Sequence, residues 1–308
     1  MPHDNAQEFV SIINRMKTWG TAHVVNKRIY IEYSQRLKTL KSLQEISALL
    51  SEMLSLNVFP NTVIINQLIN KMNQLKQINS AMELHRIAAE RHIADAITYA
   101  STITAIAKSA IPDVTRALSL FDEAKRLGFA DAITYNSTIT AIAKSAAPDK
   151  SLETLAFSLL EEATQSFHRP DMKHGDLIDL HDLSYGEVYF GLKRRLNTEL
   201  KNTSSSIINL QIIYGRGLHS HTNFATSIHP LKEAVIRIIR ELSAQGVSGT
   251  ENQDNAGRFN LMINPSVHSA PHQLSELRLN SLFPGGKKTS LNPNANVFVP
   301  GHFSGKGK

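Results

Sequence analysis

A chain of 308 residues with 42% hydrophobic side chains is long enough for two modest domains and a tail, and it can bury real cores. It has no cysteine, which excludes disulfide frameworks, thiolate zinc sites and cysteine nucleophiles and leaves chemistry to His, Asp, Glu, Arg or backbone groups. The 33 Lys and Arg against 27 Asp and Glu give a net charge of +6 and a sequence pI near 9.4, a balance that favours polyanionic partners.

The first residues, Met1 to Glu8, carry acids early and lack both a secretory and an Arg-rich transit pattern. No apolar run approaches the length needed to span a bilayer, so no membrane association is expected.

From Ser47 to Asp171 the pattern is helical and repetitive. Ala94–Asp113 matches Ala130–Asp149 at a spacing of 36, with differences only at Ala100 against Asn136 and Ile111 against Ala147. Asp95 and Asp131 stand as N-caps, and Pro112-Asp113 and Pro148-Asp149 mark a pause before a second helix. In that second helix Ala117, Leu120, Phe121, Ala124 and Leu127 share a face, and Gly128 stands where a helix commonly ends. Each unit is therefore a helical hairpin. Weaker copies upstream, at Pro60–Asn66, Ala81–Leu84 and Ser47–Leu56, bring the total to about four, enough for a short solenoid with a shared core.

These residues resemble pentatricopeptide repeats, in the repeat spacing of about 35, Thr134-Tyr135-Asn136, Leu120-Phe121-Asp122-Glu123-Ala124 and Pro170-Asp171. The resemblance implies that paired positions read one RNA base each: Asn66 with Asp95, Ala100 with Asp131, and Asn136 with Asp171. An Asn/Asp pair implies a preference for uracil, the amide meeting the base edge while the carboxylate holds the amide. Ala100 departs from that pattern. The plainer alternative is that these aspartates only cap helices, and a solenoid that binds protein is a further one.

After Asp171 short strands alternate with helices. Asp176–His181 reads as a strand ending in acid and imidazole, Ser184 and Glu187 have capping-box spacing for a helix to about Asn197, and Ile207–Tyr214 reads as a buried strand. A loop with Gly215, Arg216, Gly217, His219 and Ser220 follows, ending at His229-Pro230 before a helix whose Leu231, Ala234, Val235, Ile238, Ile239 and Leu242 share one face. Arg258–Ile263 alternates as a last strand. The order strand, helix, strand, helix, strand predicts a two-layer α/β domain with its strand-end loops on one edge. Glycines at 215 and 217 let backbone N–H groups approach a phosphate, and Arg216 can offer its oxygens a planar fork.

The ordered set Asp179-Leu180-His181, Gly215-Arg216-Gly217, His219-Ser220, Leu231–Val235 with Lys232, and Asn255 with Gly257 resembles a small MutS-related (Smr) domain over about 176–263. The resemblance implies nucleic-acid binding and endonuclease activity, with functional roles on Asp179, His181, Gly215, Arg216, Gly217 and His219 and an RNA contact at Lys232. An imidazole can move the proton of a 2′-hydroxyl or water, while Asp179 could orient a proton donor, hold a divalent cation or position RNA, which leaves the cofactor open. Two residues depart from the family pattern. Asp182 replaces glycine, where its charge could weaken phosphate binding, and Tyr214 replaces threonine, where it could stack on a base. A third reading makes His219, His221 and His229 metal ligands, but they lack a standard ligand spacing.

From Asn264 onward Pro, Ser, His, Gly and Lys dominate, as in a flexible extension. Within it Ser290–Pro300 resembles the short motif bound by the MLLE domain of poly(A)-binding protein, with Leu291, Asn292, Ala295, Phe298 and Pro300 at the matching places. Leu291 and Phe298 are two isolated apolar anchors suited to separate pockets. The resemblance implies the eukaryotic cytoplasm, native or after delivery. About 26 residues of linker before Ser290 span roughly 25–30 Å, a tether that would concentrate the α/β domain near polyadenylated mRNA. The expected organisation is an α helical-hairpin solenoid over 1–171, an Smr-like α/β domain over 172–264 and a disordered tail over 265–308. Function is expected to be mRNA cleavage, with a noncatalytic adaptor of RNA and poly(A)-binding protein as the alternative.

Overall fold

The computed structural model describes residues 2–18, 27–145, 148–168, 175–201, 206–215, 229–252, 255 and 257–265. Asp171, the loop residues Arg216, Gly217 and His219, and the whole tail, including Leu291, Asn292, Ala295, Phe298 and Pro300, lie outside the described residues.

Among the described residues nine helices come first: α1 (Pro2–Lys17), α2 (Lys27–Thr39), α3 (Leu43–Ser55), α4 (Thr62–Gln74), α5 (Ile78–Glu90), α6 (Ala96–Ala107), α7 (Val114–Arg126), α8 (Ala132–Lys144) and α9 (Lys150–Phe167). Four hairpins, α2/α3, α4/α5, α6/α7 and α8/α9, follow one another, and α2, α4, α6 and α8 pack side by side. The extra helix α1 packs on α3 and α5 and drives Phe9, Ile12, Ile13 and Met16 into the N-terminal core.

Local chemistry sets the helix ends. Ser42, Asn61, Asp95, Asp113, Asp131 and Asp149 each accept the backbone N–H three residues on, satisfying one of the donors a helix leaves open. At the other end of α7, Gly128 takes φ 74 while the Phe129 N–H bonds back to Ala124. Asn57, Lys76 and His92 make the same left-handed turn after α3, α4 and α5. Ala117, Phe121 and Ala124 are buried as the spacing predicts, but Leu127 ends the helix as its C-cap and is 43% exposed.

The second part contains β1 (Leu177–Asp179), α10 (Tyr185–Lys201), β2 (Ile208–Ile213), α11 (Pro230–Leu242), β3 (Val247–Glu251) and β4 (Arg258–Ile263). The sheet order is β1-β2-β4-β3, with β1 parallel to β2 and the other neighbours antiparallel. β3 is an addition to the expected order. Its Val-Ser-Gly-Thr-Glu run has little apolar alternation, and pairing with β4 supplies its order. Leu210, Ile212, Phe259, Leu261 and Ile263 face α10 and α11, which pack on each other and on the sheet, giving two layers.

One buried cluster runs from Ile103 and Tyr135 in the hairpins through Leu160 and Phe190 to Ile212 and Phe259 in the sheet. α10 lies on α8, with the Gly186 N–H on Thr140 Oγ1 at 3.2 Å. Lys193 of α10 bridges Glu153 of α9 and Glu241 of α11, and Arg237 of α11 donates to the Ala143 carbonyl at the end of α8.

His85 is buried in the hairpins, 5% exposed, with Nδ1 3.3 Å from Thr102 Oγ1 and its ring edge-on to Tyr99. Burial pushes its pKa down, against the nearby Glu123 carboxylate and a bond to the Thr98 backbone. Unfolding therefore takes up a proton once the pH falls below the free imidazole range, so this contribution is complete above about pH 6.5 and fades below it. Denaturant midpoints of His85→Phe between pH 7.5 and 5.5 are expected to fall less steeply than those of the wild type, by up to about 1.4 kcal/mol per pH unit.

Candidate active site

In the helical array Asn66 and Asp95 meet as a pair. The Asn66 Nδ2 donates to Asp95 Oδ1 at 3.0 Å, and its Oδ1 accepts from Thr98 Oγ1 at 2.7 Å. Asp95 also caps α6 through the Thr98 N–H at 2.9 Å, so the carboxylate both ends a helix and holds the amide. Burial pushes that carboxyl up, but the bonds from Asn66 and Thr98 outweigh it and leave the pKa below the usual range. Asp131 caps α8 in the same way, through the Thr134 N–H at 2.8 Å. Ala100 is 5% exposed and offers no polar group. In Asn136, Oδ1 is buried without a hydrogen-bond partner.

One feature of this face escapes a reading by cores and caps. Val63, Ile97 and Ile133, each two residues after an N-cap, are 55, 57 and 60% exposed. They stand one helical turn before Asn66, Ala100 and Asn136 and so share a face with them. The repeat register was the signal that could have found them, because a core residue would not be left open in every copy.

In the α/β part, β1 delivers Asp179 and His181 to its C-terminal end. The Leu180 N–H bonds to the Ile213 carbonyl at 2.8 Å and its side chain is fully buried, which turns the two neighbours outward. Asp179 Oδ1 accepts from both the His181 backbone N–H, at 3.0 Å, and His181 Nδ1, at 2.5 Å, while both side chains stay more than half exposed. Burial raises the Asp179 pKa, and the two bonds from His181 more than offset it, so the carboxyl sits below its usual range. Asp182 follows with φ 62, the left-handed conformation that glycine adopts most easily. Ser184 and Glu187 then close a reciprocal cap on α10.

Gly215 follows β2 with φ 79, and a Cβ built there would lie 2.8 Å from His181 Nε2. The carboxylate, imidazole and first loop glycine therefore converge, while Arg216, Gly217 and His219 lie outside the described residues. Tyr214 does not serve as a stacking platform. It is 3% exposed, its hydroxyl donates to Glu251 Oε1 at 2.5 Å, and its ring packs on Phe259 and His229. Burial and the Glu251 carboxylate push the Tyr214 pKa up. Lys232, expected at RNA, places its ammonium on the same Glu251, 2.7 and 2.8 Å from the two oxygens.

Among the described residues no three His, Asp or Glu side chains gather as a metal site, and no helix is long and apolar enough to cross a membrane. No protein-family model matches the chain, and comparison with curated proteins gives no match. The resemblances drawn from its motifs therefore rest on the residues themselves.

Proposed function

We propose that this chain binds RNA through its helical array and cleaves it with an Smr-type endonuclease site. The observation that carries this reading is the convergence of Asp179, His181 and Gly215 at the ends of β1 and β2. The ionised Asp179 accepts the hydrogen bond from His181 Nδ1–H, which leaves a lone pair on Nε2, the ring atom beside Gly215. That atom can take the proton of a 2′-hydroxyl, whose oxygen then attacks phosphorus as the P–O5′ bond breaks. The glycine lets the His181 ring lie against the end of β2, and Arg216, next in sequence, would neutralise the oxygens of a bound phosphate.

The exposed Val63, Ile97 and Ile133, repeated one turn before Asn66, Ala100 and Asn136, support base contact along the array as apolar flanks for stacked bases. The tail motif over 290–300 would bring the protein to poly(A)-binding protein, and hence to cytoplasmic mRNA. So few hairpins read too few bases to choose a transcript, which leaves target class to the tail and position to the repeats.

Polyadenylated RNA incubated with the wild type should yield new fragments on a denaturing gel, and His181→Ala should yield none while still shifting the RNA in a native gel. Intact RNA with a shifted band for the wild type would instead make the protein a noncatalytic adaptor.

A further inference from the structure

Each strand of the sheet buries one side and leaves the other open. Ile178, Leu210, Ile212, Phe259 and Leu261 lie under α10 and α11, each at most 3% exposed. Side chains alternate along a strand, so Leu177, Asn209, Gln211, Asn260 and Thr250 point the opposite way, and all of them are exposed. Asp179 has the parity of Leu177, and its side chain and that of His181 are 59 and 57% exposed. The candidate site therefore stands at the rim of the open face and not on the helical side.

Strand register fixes its surroundings. Asp179 pairs with Ile213 and Ile213 with Arg258, so one row crosses the sheet from the carboxylate to the guanidinium. The next row runs from Leu177 through Gln211 and Asn260 to Thr250. At about 4.8 Å per strand, the Cα atoms of Asp179 and Arg258 are roughly 10 Å apart, a short step along a sugar–phosphate chain. Among the described residues the Arg258 guanidinium and the amides of Gln211 and Asn260 make no hydrogen bond or ion pair. Asp179 is the one carboxylate that the described strands turn to this side, because Glu251 points to Lys232 of α11.

We propose that the open face of the sheet is a bed for single-stranded RNA. It lays the nucleotides beside the scissile phosphate across Ile213 and Met262, with Arg258 on the neighbouring phosphate and Gln211 and Asn260 at base edges or sugar hydroxyls. The proposal extends the nuclease reading above, since the same strand then reaches His181. The make-up of the face selects this occupant. A protein partner requires a contiguous apolar centre, whereas this face is mainly amide and hydroxyl with an unpaired cation. Phosphate suits that cation, and bases can lie on the partly exposed Ile213 and Met262 while the amides meet their edges.

Methyl NMR of the full chain tests the proposal without turnover, using 2′-O-methyl tetrauridylate, which cannot be cut through its 2′-oxygen. The Ile213 and Met262 methyls should shift on titration, while those of Ile212 and Ile263, on the buried side, should stay still. Arg258→Gln is expected to raise the dissociation constant read at Ile213 roughly tenfold, as loss of a hydrogen bond to a charged group does, with an unchanged melting temperature. Its slope of log affinity against log salt should shrink by about 0.7, the share of one phosphate in a single strand. Asn260→Ala should weaken binding and leave that slope alone. Still methyls at Ile213 and Met262, or wild-type affinity and slope in Arg258→Gln, overturn the proposal. So does concentration-dependent broadening of these methyls without RNA, which would make the face a contact between copies of the chain. If the wild type leaves ordinary RNA intact while Ile213 and Met262 respond to the oligonucleotide, the nuclease reading fails and the RNA bed stands.

Discussion

On the proposed nuclease function, Gly215→Ala is expected to abolish cleavage almost as completely as removing the imidazole, although alanine carries no charge and no titrating group. The added methyl carbon would sit 2.8 Å from His181 Nε2, closer than carbon and nitrogen can approach. His181 is more than half exposed, so its ring can swing away rather than unfold the strand. Swinging away breaks the bond from Nδ1 to Asp179 and turns Nε2 from the phosphate. The tautomer and the direction of the base are lost together, and the rate should fall roughly 10²–10⁴-fold, the range that positioned proton transfer supplies. The φ of 79 adds a backbone cost of about 1–2 kcal/mol for any residue with a Cβ. Single-turnover cleavage and a thermal melt read the two effects separately. A fast Gly215→Ala enzyme would mean that His181 does not work from the position seen here.

Much of the fold was legible because duplication wrote it twice. Two nearly identical units fix the period, and aspartate at the same place in each marks the helix starts that Asp95 and Asp131 do cap. The helix Pro230–Leu242 was legible for a different reason, since its apolar residues keep one face in register through three turns. Within the site, Asp179 and His181 are two residues apart and their bond is local, so sequence finds them.

What was hidden depends on partners far along the chain. Tyr214 looked like a free aromatic because Glu251, which takes its hydroxyl, lies on an edge strand too weakly patterned to be seen. Lys232 looked free for the same reason. The approach of His181 to Gly215 follows from the parallel pairing of β1 with β2, which no spacing encodes.

The junction of the two parts is the other place where one glycine decides the outcome. A Cβ at Gly186 would lie 2.5 Å from Thr140 N, 2.7 Å from Ile139 C and 2.8 Å from Thr140 Cα. All three are backbone atoms in the middle of α8, so nothing there can rotate aside as His181 can. The hydrogen bond from Gly186 N–H to Thr140 Oγ1 exists only because the two helices touch backbone to backbone. Gly186→Ala must lift the start of α10 off α8, opening the continuous core that joins Tyr135 and Leu160 to Phe190. A destabilisation of about 3 kcal/mol is expected, at the upper end of what overpacking costs. Because that core is shared, wild-type urea unfolding over residues 2–265 should be a single transition, and Gly186→Ala should split it, with the α/β part melting first. Lys193 to Glu153 and Arg237 to Ala143 still tether the parts, so the loss should be larger in Gly186→Ala/Lys193→Ala than the sum of the single changes. Far-UV circular dichroism for the helices and near-UV circular dichroism for the packed tyrosines would follow the two stages. Coincident, unshifted transitions in Gly186→Ala would mean that the array and the α/β part do not share the interface described here.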